Sequence, residues 1–515
     1  MSTANHFDVV IVGTGAGGAT LAYALARSGK RILLLERGDF LPREKDNWDT
    51  KAIYQYSKYR ANDVWHDDAG RQIHPNTYYV VGGNTKVYGA ALMRLRKEDF
   101  GELRHYEGIS PAWPITYEEF EPFYTQAEYL YHVHGERGED STEPFASAPY
   151  RHPALRHESR VAQLFDALRR IGRTPFALPL AVLFNERDQK ASPCIRCGTC
   201  DGYPCFLGAK ADGEVIAVGP ALTYPNVQLH TRTYVERLLA NPSGREVTKL
   251  VARRDGEIIE YSADLVVLAG GAINSAALLL RSASERHPHG LANSSGLVGR
   301  YYMRHNCSVV LAVSRVPNPT VFQQTVALND FYFGSDDWKF PMGNIQLIGK
   351  STGVMLKSQS KIPLPVAVFD LLTRHAIDFW VMSEDLPDSD NRITIDSGGQ
   401  PVLHYRDNNL EAHRRLIRKL NNLLSAIRKT SKQFEWLFPL AGRVPVSGIA
   451  HHCGTLRFGH SARTSVLDTN CKTHDLDNLY VVDGSFFVSS GAVNPGLTIM
   501  ANALRVGEHL RDRLG

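Results

Sequence analysis

Two polar residues near the C-terminal end of the chain have the side chains and settings needed to oxidise an alcohol. His451 lies in His-His-Cys-Gly-Thr at 451–455, and Asn494 lies in Gly-Ala-Val-Asn-Pro-Gly-Leu-Thr at 491–498. A histidine that titrates near the working pH can take the proton of a hydroxyl group. A side-chain amide can hold the same oxygen by a hydrogen bond. Together they would activate an alcohol for loss of a hydride.

The opposite end of the chain carries a pattern typical of dinucleotide binding. Phe7 to Val12 is a short apolar run that predicts a buried strand, and Ala19 to Ser28 predicts a helix. Between them lies Gly-Thr-Gly-Ala-Gly-Gly at 13–18. The order strand, Gly-x-Gly-x-x-Gly, helix is the arrangement that dinucleotide binding needs.

Each glycine of this pattern has its own predicted role. Gly13 allows the tight turn, Gly15 lets the backbone approach a pyrophosphate, and Gly18 lets helix and strand pack closely. The N–H groups at the helix start then face the phosphates. A second apolar strand, Arg31 to Leu35, ends at Glu36, whose carboxylate can hold the adenosine ribose. These residues do not distinguish NAD from FAD.

Further segments, in order along the chain, resemble the glucose–methanol–choline (GMC) family of FAD-dependent oxidoreductases. They are the glycine-rich run 81–90, Ser-Pro-Ala-Trp-Pro at 110–114, the acidic and aromatic stretch 117–124, the apolar run 265–271 with Asn274 and Ser275, and the C-terminal segment that holds His451 and Asn494. The resemblance runs from about residue 6 to residue 511 and is looser over 306–440.

The resemblance implies an α/β protein with a discontinuous, Rossmann-like FAD-binding domain and a second domain that binds substrate. The first comprises residues 1–305 and 441–515, with inserted loops and a cysteine-rich segment at 194–205, and the second comprises 306–440. At 515 residues, the chain is long for one compact domain. The glycine pattern and the terminal segment lie at opposite ends, so the FAD domain has to be discontinuous.

The middle of the chain predicts an antiparallel sheet, because it is rich in β-branched and aromatic residues. The runs are Val309–Val313, Thr325–Phe333 and Ile377–Met382. An alcohol would bind between this sheet and the flavin. Five aromatic residues either line that site or belong to the core: Phe331, Tyr332, Phe333, Trp338 and Trp380. Segments rich in charge, proline or glycine predict loops at 38–62, 135–153 and 385–399.

The resemblance also implies individual site residues. His451 falls at the catalytic histidine of the family, three residues before Gly454, and Asn494 falls at a second catalytic position that is His in some members and Asn in others. Cofactor contacts are implied for Gly13, Gly15, Gly18, Glu36, Arg37, Gly83, Asn84, Val235, Asp483, Gly484 and Thr498. Tyr88 stands where many members have Asn beside the flavin. Members that bond FAD covalently have a histidine near position 87, and Val87 here predicts non-covalent FAD.

Structural roles for the same residues stay open. His451 and its neighbour His452 are both candidate bases, and either could instead be a core histidine that donates to a carbonyl. Asn494 before Pro495 is typical of a helix start, and apolar spacing predicts a helix from Pro495 to Leu510. A helix starting at Asn494 would direct its positive end at the flavin, where reduction builds negative charge.

The reaction that the resemblance implies is oxidation of a CH–OH group to a carbonyl, on a sugar, a polyol or another alcohol. His451 would act as base, the hydride would move to flavin N5, and oxygen or an electron-acceptor partner would reoxidise the flavin. The sequence does not distinguish an oxidase from a dehydrogenase, and it does not indicate the oligomeric state. The alternatives are an FAD-containing lyase of the same family, which would use the histidine for non-redox acid–base chemistry, and a nicotinamide-dependent dehydrogenase.

Four of the seven cysteines fall within twelve residues, at Cys194, Cys197, Cys200 and Cys205. Their spacing resembles iron–sulfur ligation, although the fourth interval differs from the ferredoxin run. Some GMC dehydrogenases that pass electrons to a partner carry a cysteine-ligated cluster in this region. A zinc site would take three ligands from one tight loop. The favoured interpretation is a loop near the flavin without metal, and the sequence does not identify a metal.

Composition and charge narrow the class of protein. The net charge is +4 with acids and bases interspersed, which argues against nucleic-acid binding. The short basic runs at Arg94 and Arg96 and at 414–419 are predicted to be solvated faces. No stretch is apolar and long enough to span a bilayer. Because the first strand begins within six residues of the N-terminus, we expect no secretory signal and a cytoplasmic protein.

Overall fold

The computed structural model describes residues 5–360, 362–431 and 434–515 of the chain. Its α-helices are α1 (Ala16–Leu25), α2 (Tyr117–Leu130), α3 (Ser159–Arg170), α4 (Gly219–Ala221), α5 (Ala272–Arg281), α6 (Gly353–Gln359), α7 (Val366–Arg374), α8 (Leu410–Thr430) and α9 (Gly496–Leu514). Its first strands are β1 (His6–Val12), β2 (Ile32–Leu35), β3 (Trp65–Asp67), β4 (Gln72–Ile73), β5 (Leu103–Arg104), β6 (Ile109–Ser110), β7 (Val133–His134), β8 (Pro175–Ala177), β9 (Leu180–Ala181) and β10 (Val227–His230). The strands that follow are β11 (Thr233–Ala240), β12 (Val247–Arg254), β13 (Glu257–Leu268), β14 (Asn306–Ser314), β15 (Val326–Leu328), β16 (Asn344–Leu347), β17 (Ala376–Ser383), β18 (Arg392–Ile395), β19 (Pro401–His404), β20 (Trp436–Arg443) and β21 (Leu479–Val481).

A parallel sheet joins the two ends of the chain, as the sequence predicted. Its strands run in the order β10-β2-β1-β13-β21, all parallel. Every residue of β2 is buried, which suits a strand covered on both faces. The N-terminal part of β13 continues into an antiparallel arrangement with β12 and β11. Helix α9 packs on both α1 and α2, so the last segment of the chain completes the layer over this sheet.

A second, antiparallel sheet confirms the expected architecture of the middle of the chain. Its order is β20-β14-β17-β16-β15-β8, and helices α3 and α8 pack together over it with a shared apolar core. The runs predicted at 309–313 and 377–382 lie within β14 and β17. Strand β8 comes from outside residues 306–440, and β20 extends beyond residue 440. The antiparallel sheet thus includes residues outside 306–440, and the division of the chain into domains at these limits stays a prediction.

Some local expectations were wrong at their boundaries. Helix α1 begins at Ala16 rather than Ala19, because the end of the glycine pattern forms its first turn. The predicted strand 325–333 is limited to Val326–Leu328, after which a turn is closed by the hydrogen bond from Tyr332 N to Asn329 O (2.9 Å). The predicted loop 385–399 contains β18, whose Arg-Ile-Thr-Ile sequence alternates as a strand does.

The basic run at Arg94 and Arg96 is buried, which corrects the expectation of a solvated face. Both residues are 2% exposed. Arg94 pairs with Glu128 (2.7 Å) and Arg96 with Asp140 (2.6 Å). The carboxylates come from distant parts of the sequence, so the pattern around residue 94 did not reveal them. By contrast, the basic residues at 414–419 lie on α8, where Arg414 is largely exposed as predicted.

Within the described ranges, no helix has the length and apolar character that crossing a membrane requires.

Candidate active site

The glycine loop between β1 and α1 has open space beside its backbone at Gly15. Gly13 has a φ of +102°, a conformation that glycine adopts at little cost. A Cβ atom on Gly18 would collide with the carbonyl oxygen of Gly13, so helix and loop are in close contact. A Cβ atom on Gly15 would meet nothing within 4 Å. The open space lies where a dinucleotide phosphate would approach the helix N-terminus.

Gly17 is a close-packing position that the sequence pattern did not single out. A Cβ atom there would collide with the carbonyl oxygen of Val482, just after β21. The start of α1 therefore rests on the segment that leads to the C-terminal part of the site. The consecutive glycines at 17 and 18 were the signal available, but the standard pattern accounts for one of them.

Glu36 ties the glycine loop to the end of β2. Its carboxylate accepts hydrogen bonds from Thr14 N (3.1 Å), Thr14 Oγ1 (2.5 Å) and Gly38 N (3.0 Å). Burial raises the pKa of Glu36, and these hydrogen bonds oppose the shift. The carboxylate is thus fixed at the C-terminal edge of the parallel sheet.

Arg37 is held in place by aromatic and ionic contacts. Its guanidinium lies 4.1 Å from the ring centre of Tyr79 and 4.3 Å from that of Tyr234. It also forms a two-pronged ion pair with Asp63, at 2.8 Å for each hydrogen bond. Val235, the neighbour of Tyr234 on β11, is buried.

The second glycine-rich segment meets the first. A Cβ atom on Gly83 would lie 3.0 Å from the Cα atom of Gly15. Asn84 uses its side chain inside its own loop: Oδ1 accepts from Tyr78 N (2.9 Å), and Nδ2 donates to Asn76 O (3.2 Å). The two glycine-rich loops therefore lie in direct contact.

Asp483 organises the end of β21. It accepts hydrogen bonds from Gly271 N (2.9 Å), Ser275 Oγ (2.5 Å) and Ser485 N (3.0 Å). Burial raises the pKa of Asp483. The carbonyl of Gly484 accepts from Gly454 N (3.1 Å), which joins this turn to the segment that carries His451.

His451 lies among other aromatic rings with a free nitrogen. Its Nδ1 atom is buried and has no hydrogen-bond partner among the described residues. The ring stands edge-on to His305, with 5.3 Å between ring centres. Burial and, to a smaller extent, the neighbouring His305 and His452 hold the pKa of His451 well below its usual value. His451 is therefore neutral at neutral pH.

His452 has a different set of contacts. Its Nδ1 atom is 2.6 Å from the hydroxyl of Tyr302, and its ring meets Trp65 edge-on at 5.9 Å. Burial and the nearby charge of Arg304 lower the pKa of His452 to about 4. The Tyr302 hydroxyl therefore fixes the orientation of His452.

Asn494 does not cap a helix, which corrects one expectation. Helix α9 begins at Gly496 with Pro495 at its N-cap position, and the Oδ1 atom of Asn494 is buried with no partner in the described chain. The segment before it connects to the histidines: His305, which packs against His451, lies 3.1 Å through Nε2 from the carbonyl of Ser490. The fold thus joins the two predicted catalytic segments through His305, which the sequence did not single out.

The aromatic candidates separate into two groups. Tyr332 reaches the Asn494 segment, because its hydroxyl accepts a hydrogen bond from Ala492 N (2.9 Å). Phe331 belongs to the core of the antiparallel sheet, and Trp338 stacks beneath Arg415 at 3.7 Å.

Thr498, a predicted cofactor contact on α9, forms a hydrogen bond through Oγ1 with the hydroxyl of Tyr124 (2.8 Å).

A lysine that the sequence analysis did not single out links the cysteine-rich loop to the glycine-rich run 81–90. The buried ammonium of Lys210 donates to the carbonyls of Cys200 (2.7 Å), Tyr203 (2.8 Å) and Lys86 (3.3 Å). Burial raises the pKa of Cys194 to about 11. All seven cysteines are free thiols. In the part of the chain that the structure describes, no three His, Cys, Asp or Glu side chains are arranged to hold a metal ion.

Comparisons with known protein families agree with this geometry. Two sequence profiles, both described as GMC oxidoreductase, match residues 7–307 and 387–503. The chain belongs to the GMC oxidoreductase family. It is accordingly an FAD-dependent oxidoreductase that acts on CH–OH donors, as the resemblance implied.

Individual GMC oxidoreductases match along nearly the whole chain. The 6'''-hydroxyparomomycin C oxidase of Streptomyces lividus is 31% identical, over 99% of this chain and 92% of that protein. The paromamine 6'-oxidase of Streptomyces fradiae is 30% identical, over 97% of this chain and 90% of that protein. A formate oxidase structure from Aspergillus oryzae RIB40 has a TM-score of 0.71 at 15% identity, with 100% of this chain and 99% of that chain covered. The last comparison shows the shared fold.

Proposed function

We propose that this GMC oxidoreductase oxidises an alcohol group of a sugar, a polyol or a related alcohol to a carbonyl, with His451 as base. The observation that supports the proposal is a pair of buried polar atoms, His451 Nδ1 and Asn494 Oδ1, that lack partners among the described residues. Buried polar atoms in native proteins are nearly always hydrogen-bonded. A substrate hydroxyl has one proton, which it can donate to His451, while its oxygen can accept a hydrogen bond from the amide nitrogen of Asn494.

Each side chain has one step in the proposed mechanism. Neutral His451 takes the hydroxyl proton, and the Asn494 amide donates a hydrogen bond to the oxygen as negative charge builds on it. The start of α9 lies two residues after Asn494, and its positive end favours that charge. When bound, FAD supplies the hydride acceptor at its N5 atom.

The open space beside Gly15 supports binding of a dinucleotide next to the glycine loop. The space beside Gly15 is open, and Glu36 and Asp483 are fixed at the carboxyl edge of the parallel sheet. We assign FAD contacts to Gly13, Gly15, Gly18, Glu36, Arg37, Gly83, Asn84, Val235, Asp483, Gly484 and Thr498. With a buried valine at position 87, FAD is held without a covalent bond.

The substrate class follows from the relatives that are at least 30% identical. Two such relatives are named as oxidases of paromamine and of 6'''-hydroxyparomomycin C. We therefore propose a sugar or an amino sugar as substrate. The reoxidant, oxygen or an electron-acceptor partner, and the cytoplasmic location stay predictions.

The cysteine-rich loop is proposed to be free of metal. Three of its sulfur atoms already accept separate hydrogen bonds: Cys194 from Arg196 N (3.5 Å), Cys197 from Thr199 Oγ1 (3.5 Å) and Cys205 from Ala209 N (3.3 Å). An iron–sulfur cluster on the four thiols is the alternative. Iron and acid-labile sulfide analysis of protein purified without oxygen decides between them, since a cluster would contribute both in stoichiometric amounts.

The function is tested by the visible spectrum of the purified protein under anaerobic conditions. We expect flavin bands that bleach on addition of one member of a panel of paromamine, D-glucose, glycerol and benzyl alcohol. In His451→Ala, flavin reduction should slow by about 10²-fold or more, the range typical of general-base loss. His452→Ala should have a smaller effect, and His289→Ala, at an exposed histidine, should have none.

Two outcomes would contradict the proposal. Near-normal flavin reduction in an FAD-loaded His451→Ala variant would remove the assignment of the base. Flavin bands that no alcohol bleaches would instead favour the lyase alternative.

A further inference from the structure

The segment that leads to Asn494 is anchored at successive residues. The hydroxyl of Ser489 accepts a hydrogen bond from Trp113 Nε1 (2.8 Å), and the carbonyl of Ser490 lies 3.1 Å from His305 Nε2. All four residues are buried. Two further side chains bind the next two backbone amides. They belong to residues that follow strands β17 and β15 of the antiparallel sheet.

The first of these anchors is Glu384, directly after β17. Its Oε1 atom accepts from Gly491 N (3.2 Å) and from Ser110 Oγ (2.7 Å). Its Oε2 atom is 3.2 Å from His105 Nε2. Burial opposes ionisation, but the proximity of His105 and the hydrogen bonds from Ser110 and Gly491 outweigh it, and the pKa of Glu384 is lowered. Glu384 is therefore a fixed, charged acceptor for the Gly491 amide.

The second anchor is Tyr332. Its hydroxyl accepts from Ala492 N (2.9 Å) and is 2.8 Å from Asp99 Oδ2, to which it donates. Asp99 Oδ2 also accepts from Arg96 N (2.7 Å). Because the Tyr332 hydroxyl donates its hydrogen bond to Asp99, a lone pair of its oxygen is left to accept from the Ala492 amide.

Neither Glu384 nor Tyr332 has a role in the proposed proton transfer, yet both are buried polar groups directed at one short stretch of backbone. Gly491 has a φ of +60°, so the chain turns sharply between the anchors. Asn494 follows two residues after the last anchor, and its own side chain makes no hydrogen bond to the described chain. The orientation of its amide thus depends on the anchored backbone.

We propose that Glu384 and Tyr332 are positioning residues for the reaction, which hold the backbone at 491–492 so that the Asn494 amide faces the reacting oxygen. The inference rests on the proposed role of Asn494. Its physical basis is that a displacement of about 1 Å at a reacting group costs about 10²-fold in rate. Through these two residues, the antiparallel sheet contributes to a site whose histidine and amide lie in the C-terminal part of the chain.

The cleanest test is Tyr332→Phe, which removes one hydroxyl and keeps the ring. In the FAD-loaded variant we expect hydrogen exchange of the peptide that contains Ala492 to become about tenfold faster. Flavin reduction by the fastest alcohol of the panel should slow by about tenfold or more, at an unchanged substrate dissociation constant. Tyr261→Phe is the matched control, because Tyr261 is also buried with a bonded hydroxyl, to His230, and this hydroxyl has no hydrogen bond to the Asn494 segment in the described chain.

A second pair of variants tests Glu384. Glu384→Gln keeps an oxygen that can accept from Gly491 N, and it should restore most of the reduction rate that Glu384→Ala loses. Equal losses in both variants would overturn the positioning role of the acceptor.

Asn494→Ala separates the two levels of the proposal. If Asn494→Ala slows reduction but Tyr332→Phe changes neither exchange nor rate, the anchors do not position the amide and the inference is overturned. If Asn494→Ala itself leaves reduction unchanged, the proposed role of Asn494 fails, and the inference that rests on it fails too.

Discussion

At the scale of single residues, the charge state of His451 follows from its surroundings. The ring packs edge-on against His305, and no acidic side chain is hydrogen-bonded to its Nδ1 atom in the described chain. Burial in such a place disfavours the protonated form. The pKa of His451 accordingly lies well below the usual value of a histidine. The base is ready to take a proton without first losing one.

This charge state predicts the pH dependence of flavin reduction. Because the pKa of His451 is lowered, the neutral form persists as the pH falls, and the rate constant should stay level from about pH 8 down to about pH 6.5, the ordinary pKa of histidine. The decline should come only below that pH. Anaerobic stopped-flow measurement of the reduction rate constant at saturating alcohol checks it.

A decline centred near pH 7 would contradict this assignment. It would instead point to Asp99, whose pKa burial and the charge of Glu384 raise to about 7. The Asp99→Asn variant distinguishes the two groups. It should abolish a decline in the rate constant that is caused by Asp99, and it should leave a decline that is caused by His451.

The lowered pKa of His451 also makes the stability of the fold depend on pH. A histidine that stays neutral in the folded chain is protonated in the unfolded chain once the pH falls below its ordinary pKa of about 6.5. Burial of His451 therefore makes folding less favourable as the pH falls through that value. Other buried histidines with a lowered pKa, including His413, act in the same direction.

At the scale of elements, the start of α1 has to satisfy two demands at once. In the proposed FAD site it must leave room for the cofactor at Gly15, and it must lie against the carbonyl of Val482 at Gly17. Both demands exclude a side chain, but for different reasons. One concerns the cofactor, and the other concerns the packing of helix on strand.

Two alanine variants separate these demands. Gly15 has a φ of −67°, which alanine tolerates, so Gly15→Ala should leave the unfolding temperature of the FAD-free protein unchanged and lower FAD affinity by about tenfold or more, equal to about 1.4 kcal/mol. Gly17→Ala should destabilise the FAD-free protein by about 1–3 kcal/mol, as overpacking of a core does. Thermal unfolding and FAD titration measure both, and equal behaviour of the two variants would show that α1 can shift.

At the scale of the whole molecule, a layer of buried polar residues reaches the antiparallel sheet. Asp140 pairs with Arg96, which carries the backbone amide bound by Asp99, and also accepts from Asn329 Nδ2 (2.8 Å). Asn329 accepts in turn from Asn344 on β16 (2.8 Å). The layer therefore continues from the loops below α2 to the antiparallel sheet.

Removal of one partner of this layer should be costly. Asp140→Ala leaves the Arg96 guanidinium buried without its carboxylate, and we expect a loss of about 3–5 kcal/mol in the free energy of unfolding. Glu260→Ala, in an exposed pair with Lys249, should change it by less than about 1 kcal/mol. Denaturant unfolding of the FAD-loaded variants measures the difference, and similar losses for both would refute a structural role of the buried pair.

The sequence by itself determined the features that depend on local order. The strand, glycine loop and helix at the N-terminus, the final helix at the C-terminus, and the central strands at 309–313 and 377–382 are each encoded by contiguous residues. Shared motifs along the chain also identified the family.

Only the tertiary structure decided which distant groups meet. Whether Arg94 and Arg96 are exposed depends on carboxylates more than twenty residues away, and the contacts of Gly17 depend on a carbonyl near the other end of the chain. The same holds for Tyr332 and Glu384, which reach the Asn494 segment from another sheet. Periodicity and spacing report on neighbours along the chain, whereas burial and pairing of polar groups are set by neighbours in space.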